Sequence, residues 1–196
     1  MLRVGLTGGL ASGKSLVGDA LVRLGCRLLK ADVIGRLALE PGGEAYQAAV
    51  REFGRGILGE DERIDRRKLA AVVFSNPERL AVLNGIVHPA VIRKEEEWMA
   101  EVEASDPEAI AVVEAAILIE TGSHRRFDRI ILTVCDEQQQ IERAMKRDGI
   151  TREEALARMS RQLPFAEKKK HADFVIDTSG SKENTYEQVR RVYETL

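Results

Sequence analysis

Apolar positions along the chain fall either into short continuous runs or into helical stripes. Leu2 to Leu6 is such a run, closed by Thr7-Gly8-Gly9, and it predicts a buried strand leaving into a tight loop. From Ser15 to Leu24 the period changes. Leu16, Ala20 and Leu24 recur four apart, Val17 and Leu21 lie beside them, and Gly25 supplies a stop, so a helix is predicted. Cys26 to Leu29 is a second short strand, leading into Lys30-Ala31-Asp32. Strand, helix and strand within about 30 residues make the βαβ unit of a parallel sheet.

Between Asp32 and Asp106 the strand pattern disappears. The segment predicts several helices, broken at Pro41-Gly42-Gly43, Gly54-Arg55-Gly56, Asn76-Pro77 and His88-Pro89. Glu95 to Glu103 is a charged helical face around Trp98, Met99 and Val102. Strand character returns at Ile110 to Val113, ending in Glu114, at Arg129 to Val134, ending near Asp136, and at Phe174 to Ile176, ending in Asp177. Tyr186, Val189, Val192 and Tyr193 form the stripe of a closing helix. These elements predict an α/β fold with a parallel sheet of about five strands. Residues 1–33 and 108–196 would form the core, 34–107 a helical insert, and 137–170 a basic flap or lid.

Composition narrows the class. Across 196 residues, 44% are apolar and 32% charged, which excludes a disordered chain or a coiled coil. The net charge of -2 excludes a general nucleic-acid coat. Charge is unevenly placed, however: Arg143 to Lys170 holds nine basic residues against four acids, or +5 locally. That stretch is either a solvated helical surface or a face for phosphates. Cys26 and Cys135 are too few for a disulfide framework and read as buried free thiols in a reducing compartment. The start of the chain lacks the pattern of a signal peptide, and Ile110 to Ile119 is too short and too interrupted by Glu114 to span a membrane. A cytoplasmic protein with no membrane, nucleic-acid or obligate protein partner is expected.

Gly8-Gly9-Leu10-Ala11-Ser12-Gly13-Lys14-Ser15 fits the phosphate-loop pattern G-x-x-x-x-G-K-[ST]. Glycines let successive backbone N–H groups turn inward onto phosphate oxygens, and the following helix, from Lys14 through Leu16, adds the positive end of its dipole. Lys14 would reach the β- and γ-phosphates of a nucleotide, and the Ser15 hydroxyl would ligate Mg²⁺. Average residue usage gives this pattern by chance in on the order of one such chain in a hundred, and the strand and helix around it lower that further.

Acids at strand ends would project into the same crevice, since open α/β sheets bind ligands beyond the carboxyl ends of their strands. Asp32 is a base for an acceptor hydroxyl, a partner of Mg²⁺-bound water, or an N-cap. Glu114 holds a water on the metal or is a buried or capping carboxylate. Asp136 and Asp177 read as caps. Arg143 and Arg147, four apart on one helix face, could neutralise charge on a transferring phosphoryl group. Arg158 and Arg161 are weaker candidates for that role. His88, before Pro89, contacts a substrate or makes a structural hydrogen bond.

Taken together, these segments resemble the dephospho-coenzyme A kinase family. Val4-Gly5-Leu6-Thr7 leading into the phosphate loop is close to that family's extended loop. Ala31-Asp32 resembles the end of its Asp-Ala-Asp signature, and Asp65-Arg66 with Leu69 its Arg-x-x-Leu segment. His88-Pro89 resembles the His-Pro of its insert, Gln140 with Arg143 and Arg147 its lid, and Arg158 with Gln162, then Ala172 to Asp177, the stretch before its adenine loop. Lys30 replaces the first acid of Asp-Ala-Asp, Ala116 replaces a proline in Ala116-Ile117-Leu118-Ile119-Glu120, and Thr178 replaces an asparagine in Thr178-Ser179-Gly180.

The resemblance implies a P-loop NTPase fold of three α/β/α layers, with ATP and Mg²⁺ serving phosphoryl transfer to the 3′-hydroxyl of dephospho-CoA. It implies Asp32 as the base and Arg66, His88 and Leu118 on the acceptor side. Residues 8–16, Arg143, Arg147, Thr178 and Gly180 would hold ATP, with Ser15 and Glu114 at the metal. Two other readings remain at this point: a related kinase with a different small acceptor, and a nucleotide-dependent switch. The guanine-reading Asn/Thr-Lys-x-Asp segment usual in GTPases is absent from the sequence.

Overall fold

The fold is that of a computed structural model, which describes residues 1–74 and 76–196. Five strands, β1 (Leu2–Gly8), β2 (Arg27–Lys30), β3 (Ile110–Glu114), β4 (Arg129–Val134) and β5 (Phe174–Asp177), form one sheet. Their order is β2-β3-β1-β4-β5 and every neighbouring pair is parallel. The helices are α1 (Lys14–Arg23), α2 (Ala31–Ala38), α3 (Tyr46–Phe53), α4 (Arg66–Phe74), α5 (Pro77–Ser105), α6 (Glu137–Asp148), α7 (Arg152–Met159), α8 (Phe165–Lys169) and α9 (Lys182–Tyr193). The sequence predicts β4 with its observed ends. It cuts β1 short, because Thr7 and Gly8 still pair with Leu132 and Thr133. The polar ends Glu114, Lys30 and Asp177 likewise belong to their strands: Lys30 pairs with Glu114, and Val134 with Asp177.

Compactness divides the chain into two units, Met1–Lys30 with Met99–Leu196, and Ala31–Trp98. In the first, the central strand supplies Val4 and Leu6, flanking strands supply Val112, Ile131 and Ile176, and α1 and α9 supply Val17, Leu21 and Val189. All are fully buried. The near-continuous apolar reading of β1, β3 and β4 follows from a parallel sheet covered on both faces. Tyr186, Val192 and Tyr193 pack on this core, as the closing stripe predicts. Cys26 and Cys135 are buried and free. Burial raises the Cys26 thiol to about 11, so it stays protonated at neutral pH.

The second unit is helical. Tyr46, Ile57, Leu58, Leu69 and Val73 make its main cluster, and Ala38, Ala45 and Ala90 a smaller one. The Asp65 carboxylate accepts the backbone N–H groups of Arg67 (2.8 Å) and Lys68 (3.2 Å), which hold it below the usual carboxylate range. Asn76 accepts from Glu78 (2.9 Å) and Arg79 (3.2 Å) and starts α5.

One predicted break is absent. The chain does not leave the helix at His88-Pro89; α5 runs through it. Proline there removes the N–H that would bond to the Gly85 carbonyl. Both Gly85 and Pro89 are exposed, so water can take the freed carbonyl. No helix among the described residues is long and apolar enough to cross a membrane.

Candidate active site

The loop between β1 and α1 is shaped by two glycines with different duties. A Cβ on Gly8 would collide with Thr133 Oγ1 and Ser12 Oγ, so the loop can sit against β4 only with glycine there. Gly13 has φ +85°, and Ala11 also lies in the left-handed region at φ +50°. Alternation of this kind turns successive N–H groups toward one concavity, the backbone arrangement that receives anions. Thr133 Oγ1 donates to the Thr7 carbonyl (3.3 Å), which leaves it to accept the Ser12 hydroxyl at 2.7 Å. Thr133 is fully buried; it is a loop support that the strand pattern alone does not single out.

Lys14 opens α1 and folds back, with Nζ donating to Gly9 O (2.9 Å) and Gly8 O (3.3 Å). Ser15 donates its hydroxyl to Glu114 Oε1 at 2.9 Å. Glu114 is buried at the end of β3, and its Oε2 is buried without a hydrogen-bond partner. The structure therefore brings Ser15 and Glu114 together from positions far apart in sequence. Among the described residues no group of three or more His, Cys, Asp or Glu could hold a metal. A hydroxyl beside a carboxylate with an unused oxygen instead suits Mg²⁺, which keeps waters and takes much of its coordination from phosphates. Leu16, next in α1, is half-buried.

Arg143, on α6, donates Nη2 to the Thr178 carbonyl (2.8 Å) and to Gln139 Oε1 (2.9 Å). Its Nη1 reaches Thr178 Oγ1 (3.0 Å) and Cys135 Sγ (3.2 Å). Thr178 is buried and turns its hydroxyl to the Ser12 carbonyl at 3.0 Å. Arg143 thus grips the turn after β5, and Thr178 ties that turn to the phosphate loop. Gly180 is exposed beyond it. Arg147, one turn further along α6, is exposed and pairs with Asp148 (2.7 Å), whose carboxyl it holds below the usual range. Arg158 reaches the same Asp148 at 3.4 Å. Asp136 occupies the N-cap position of α6 without a side-chain bond. Asp177 accepts the Ser179 N–H (2.8 Å), and Ser181, not Asp177, caps α9.

Asp32 lies in the first turn of α2, exposed, and two residues after Lys30, the register partner of Glu114. Among the described residues no hydrogen bond or ion pair engages its carboxylate. Lys30 pairs with Asp19 at 3.1 Å, so the substituted lysine is neutralised within the first unit. In the helical unit, Arg66 is exposed and lies 3.8 Å from Glu40, and His88 is half-buried, with burial lowering its pKa. Leu118 is buried, and a Cβ on Gly5 would press against its Cδ1.

Lys168 is the residue that the sequence pattern hides. It sits in the run Lys168-Lys169-Lys170, which resembles a solvated charge run, yet it is fully buried while its two neighbours are exposed. The signal available is helical phase, since Phe165 and Lys168 fall on one face of α8.

Comparison with known proteins places this geometry in a family. The dephospho-CoA kinase family profile matches residues 2–184. A dephospho-CoA kinase from Carboxydothermus hydrogenoformans is 44% identical over 97% of this chain and 92% of its own. A crystal structure from Thermus thermophilus superposes with a TM-score of 0.85 at 34% identity, covering 100% of this chain and 97% of that one. A dephospho-CoA kinase from Campylobacter jejuni gives a TM-score of 0.72 at 26% identity, over 98% and 95% of the two chains. The sheet order, the phosphate loop and full-length sequence identity agree, and the chain belongs to the dephospho-CoA kinase family of ATP-dependent phosphotransferases.

Proposed function

We propose that this chain transfers the γ-phosphate of ATP to the 3′-hydroxyl of the dephospho-CoA ribose, giving coenzyme A and ADP. The observation that carries this reading is the Ser15–Glu114 hydrogen bond at the head of a glycine loop in which Ala11 and Gly13 take left-handed φ values. The loop amides from Ala11 to Ser15, with Lys14, would bind the triphosphate, the Leu10 N–H being engaged by Gln162. Ser15 directly, and Glu114 through water, would hold Mg²⁺, which when bound screens the phosphate charge and makes the γ-phosphorus a better electrophile.

Asp32 would accept the proton of the 3′-hydroxyl. The new O3′–P bond forms as the bond from phosphorus to the β,γ-bridging oxygen breaks, and ADP leaves with that electron pair. The unpaired, exposed carboxylate of Asp32 suits a base that must meet an incoming hydroxyl. Arg143 would steady the ATP-side turn through Thr178. Arg147, exposed on the same helix, would add positive charge on lid closure. Arg66 and His88 would face the acceptor, carried by the Ala31–Trp98 unit. Free buried thiols suit a cytoplasmic setting.

The test is ADP release with Mg-ATP in the presence and absence of dephospho-CoA, with phosphorus NMR of the product. Dephospho-CoA-dependent ADP and a new 3′-phosphomonoester are expected. A nucleoside monophosphate accepted in place of dephospho-CoA would overturn the assignment.

A further inference from the structure

Lys168 is fully buried, and its ammonium lies 2.7 Å from Glu120 Oε1. Its Nζ also points at the Ala116 carbonyl, 3.4 Å away. The same Glu120 oxygen accepts the Leu163 N–H at 3.2 Å. One carboxylate in the segment after β3 therefore ties down both ends of residues 163–168. A buried ion pair of this kind gives little net stability but fixes geometry, because neither charge can leave its partner without desolvation cost.

Gln162, just before that segment, and Phe165 within it meet the phosphate loop. Gln162 Oε1 accepts the Leu10 N–H at 2.8 Å, a bond spanning 152 residues of sequence. The Phe165 ring lies so close over Gly9 that a Cβ there would be 3.0 Å from Cζ. Leu10 and Ala11 also pack against Ile141, Ala144 and Ala155 of α6 and α7. The loop is thus gripped by a side-chain bond to its backbone, a ring and an apolar patch.

We propose that Gln162 is a positioning residue for the phosphate loop, held in place by the buried Lys168–Glu120 pair. Its carbonyl oxygen fixes the Leu10 peptide, so that the amides from Ala11 to Ser15 need not be reordered when phosphate arrives. Lys168 acts at second hand: it sets the segment from which Gln162 reaches the loop. This inference rests on the phosphate-loop reading above and adds to it the residues that preorganise the loop.

Two variants test it. Gln162→Met keeps the side chain's length and removes the acceptor. Lys168→Met combined with Glu120→Leu removes both buried charges together, which avoids stranding either. For each, melting temperature, KM for ATP, KM for dephospho-CoA and hydrogen exchange at the Leu10 amide are measured. For Gln162→Met the expected result is a near wild-type melt, faster Leu10 exchange, a KM for ATP raised roughly tenfold and an unchanged KM for dephospho-CoA. The double variant gives the same split if Lys168 acts through Gln162. Gln162→Met with wild-type KM for ATP and wild-type Leu10 exchange would overturn the proposal, whether or not the double variant folds. Failure of the wild-type chain to bind ATP at all would instead overturn the phosphate-loop reading, and this inference with it.

Discussion

Ser15 and Glu114, 99 residues apart, meet because β1 and β3 are neighbours, and the serine hydroxyl donates to one carboxylate oxygen at 2.9 Å. The other oxygen is buried and unpartnered, a costly arrangement for a group with no further duty. Glu114→Gln keeps the shape and removes the charge. It is expected to lower kcat by about a hundredfold and to raise the Mg²⁺ concentration needed for half-maximal rate, with the fold intact. A Mg²⁺ titration of initial rate checks this; an unchanged titration curve would leave Glu114 as a structural carboxylate.

Arg143 uses a planar guanidinium to bond the Thr178 carbonyl and hydroxyl and Gln139 together. Lysine offers a point charge and cannot span these acceptors. Arg143→Lys is therefore expected to raise KM for ATP by about tenfold, with a smaller effect on the acceptor. Steady-state kinetics with each substrate varied in turn measures it.

Burial holds His88 below its ordinary value of 6.5. Between the lowered folded value and 6.5 the unfolded chain binds more protons, so the stability from neutral His88 is complete above 6.5 and is lost as pH falls through that window. His88→Gln removes the titration. The melting-temperature difference between wild type and variant is expected to shift against the wild type as pH is lowered from about 7.5 to about 5. A difference independent of pH would show that His88 is not held neutral.

Pro89 stands inside α5 with its missing bond on an exposed face. Pro89→Ala restores the bond to Gly85 and is expected to stabilise the chain by about 2 kcal/mol, read from the urea midpoint. No change, or a loss, would mean that the proline is compensated by packing.

That same proline marks where sequence reading stops. The strands were legible because β1, β3 and β4 are buried on both faces and so read as continuous apolar runs. The phosphate loop was legible because few residue types tolerate its backbone. His88-Pro89 misleads, since a breaker's effect depends on whether the orphaned carbonyl faces water, and that is a tertiary fact. Lys168 was illegible for a related reason: a buried lysine and a solvated one are the same letter until Glu120 is known to face it. Thr133 on β4 and Thr178 in the turn after β5 support the loop from positions that meet it only in three dimensions.

Asp32→Asn keeps the shape of a strand-end acid whose carboxylate is unpaired among the described residues and removes its ability to take a proton. The decisive measurement is its turnover with Mg-ATP and dephospho-CoA beside its affinity for ATP. A kcat lowered by about a thousandfold with ATP affinity unchanged is the predicted result. Turnover at the wild-type rate would contradict proton transfer to Asp32 and the mechanism built on it.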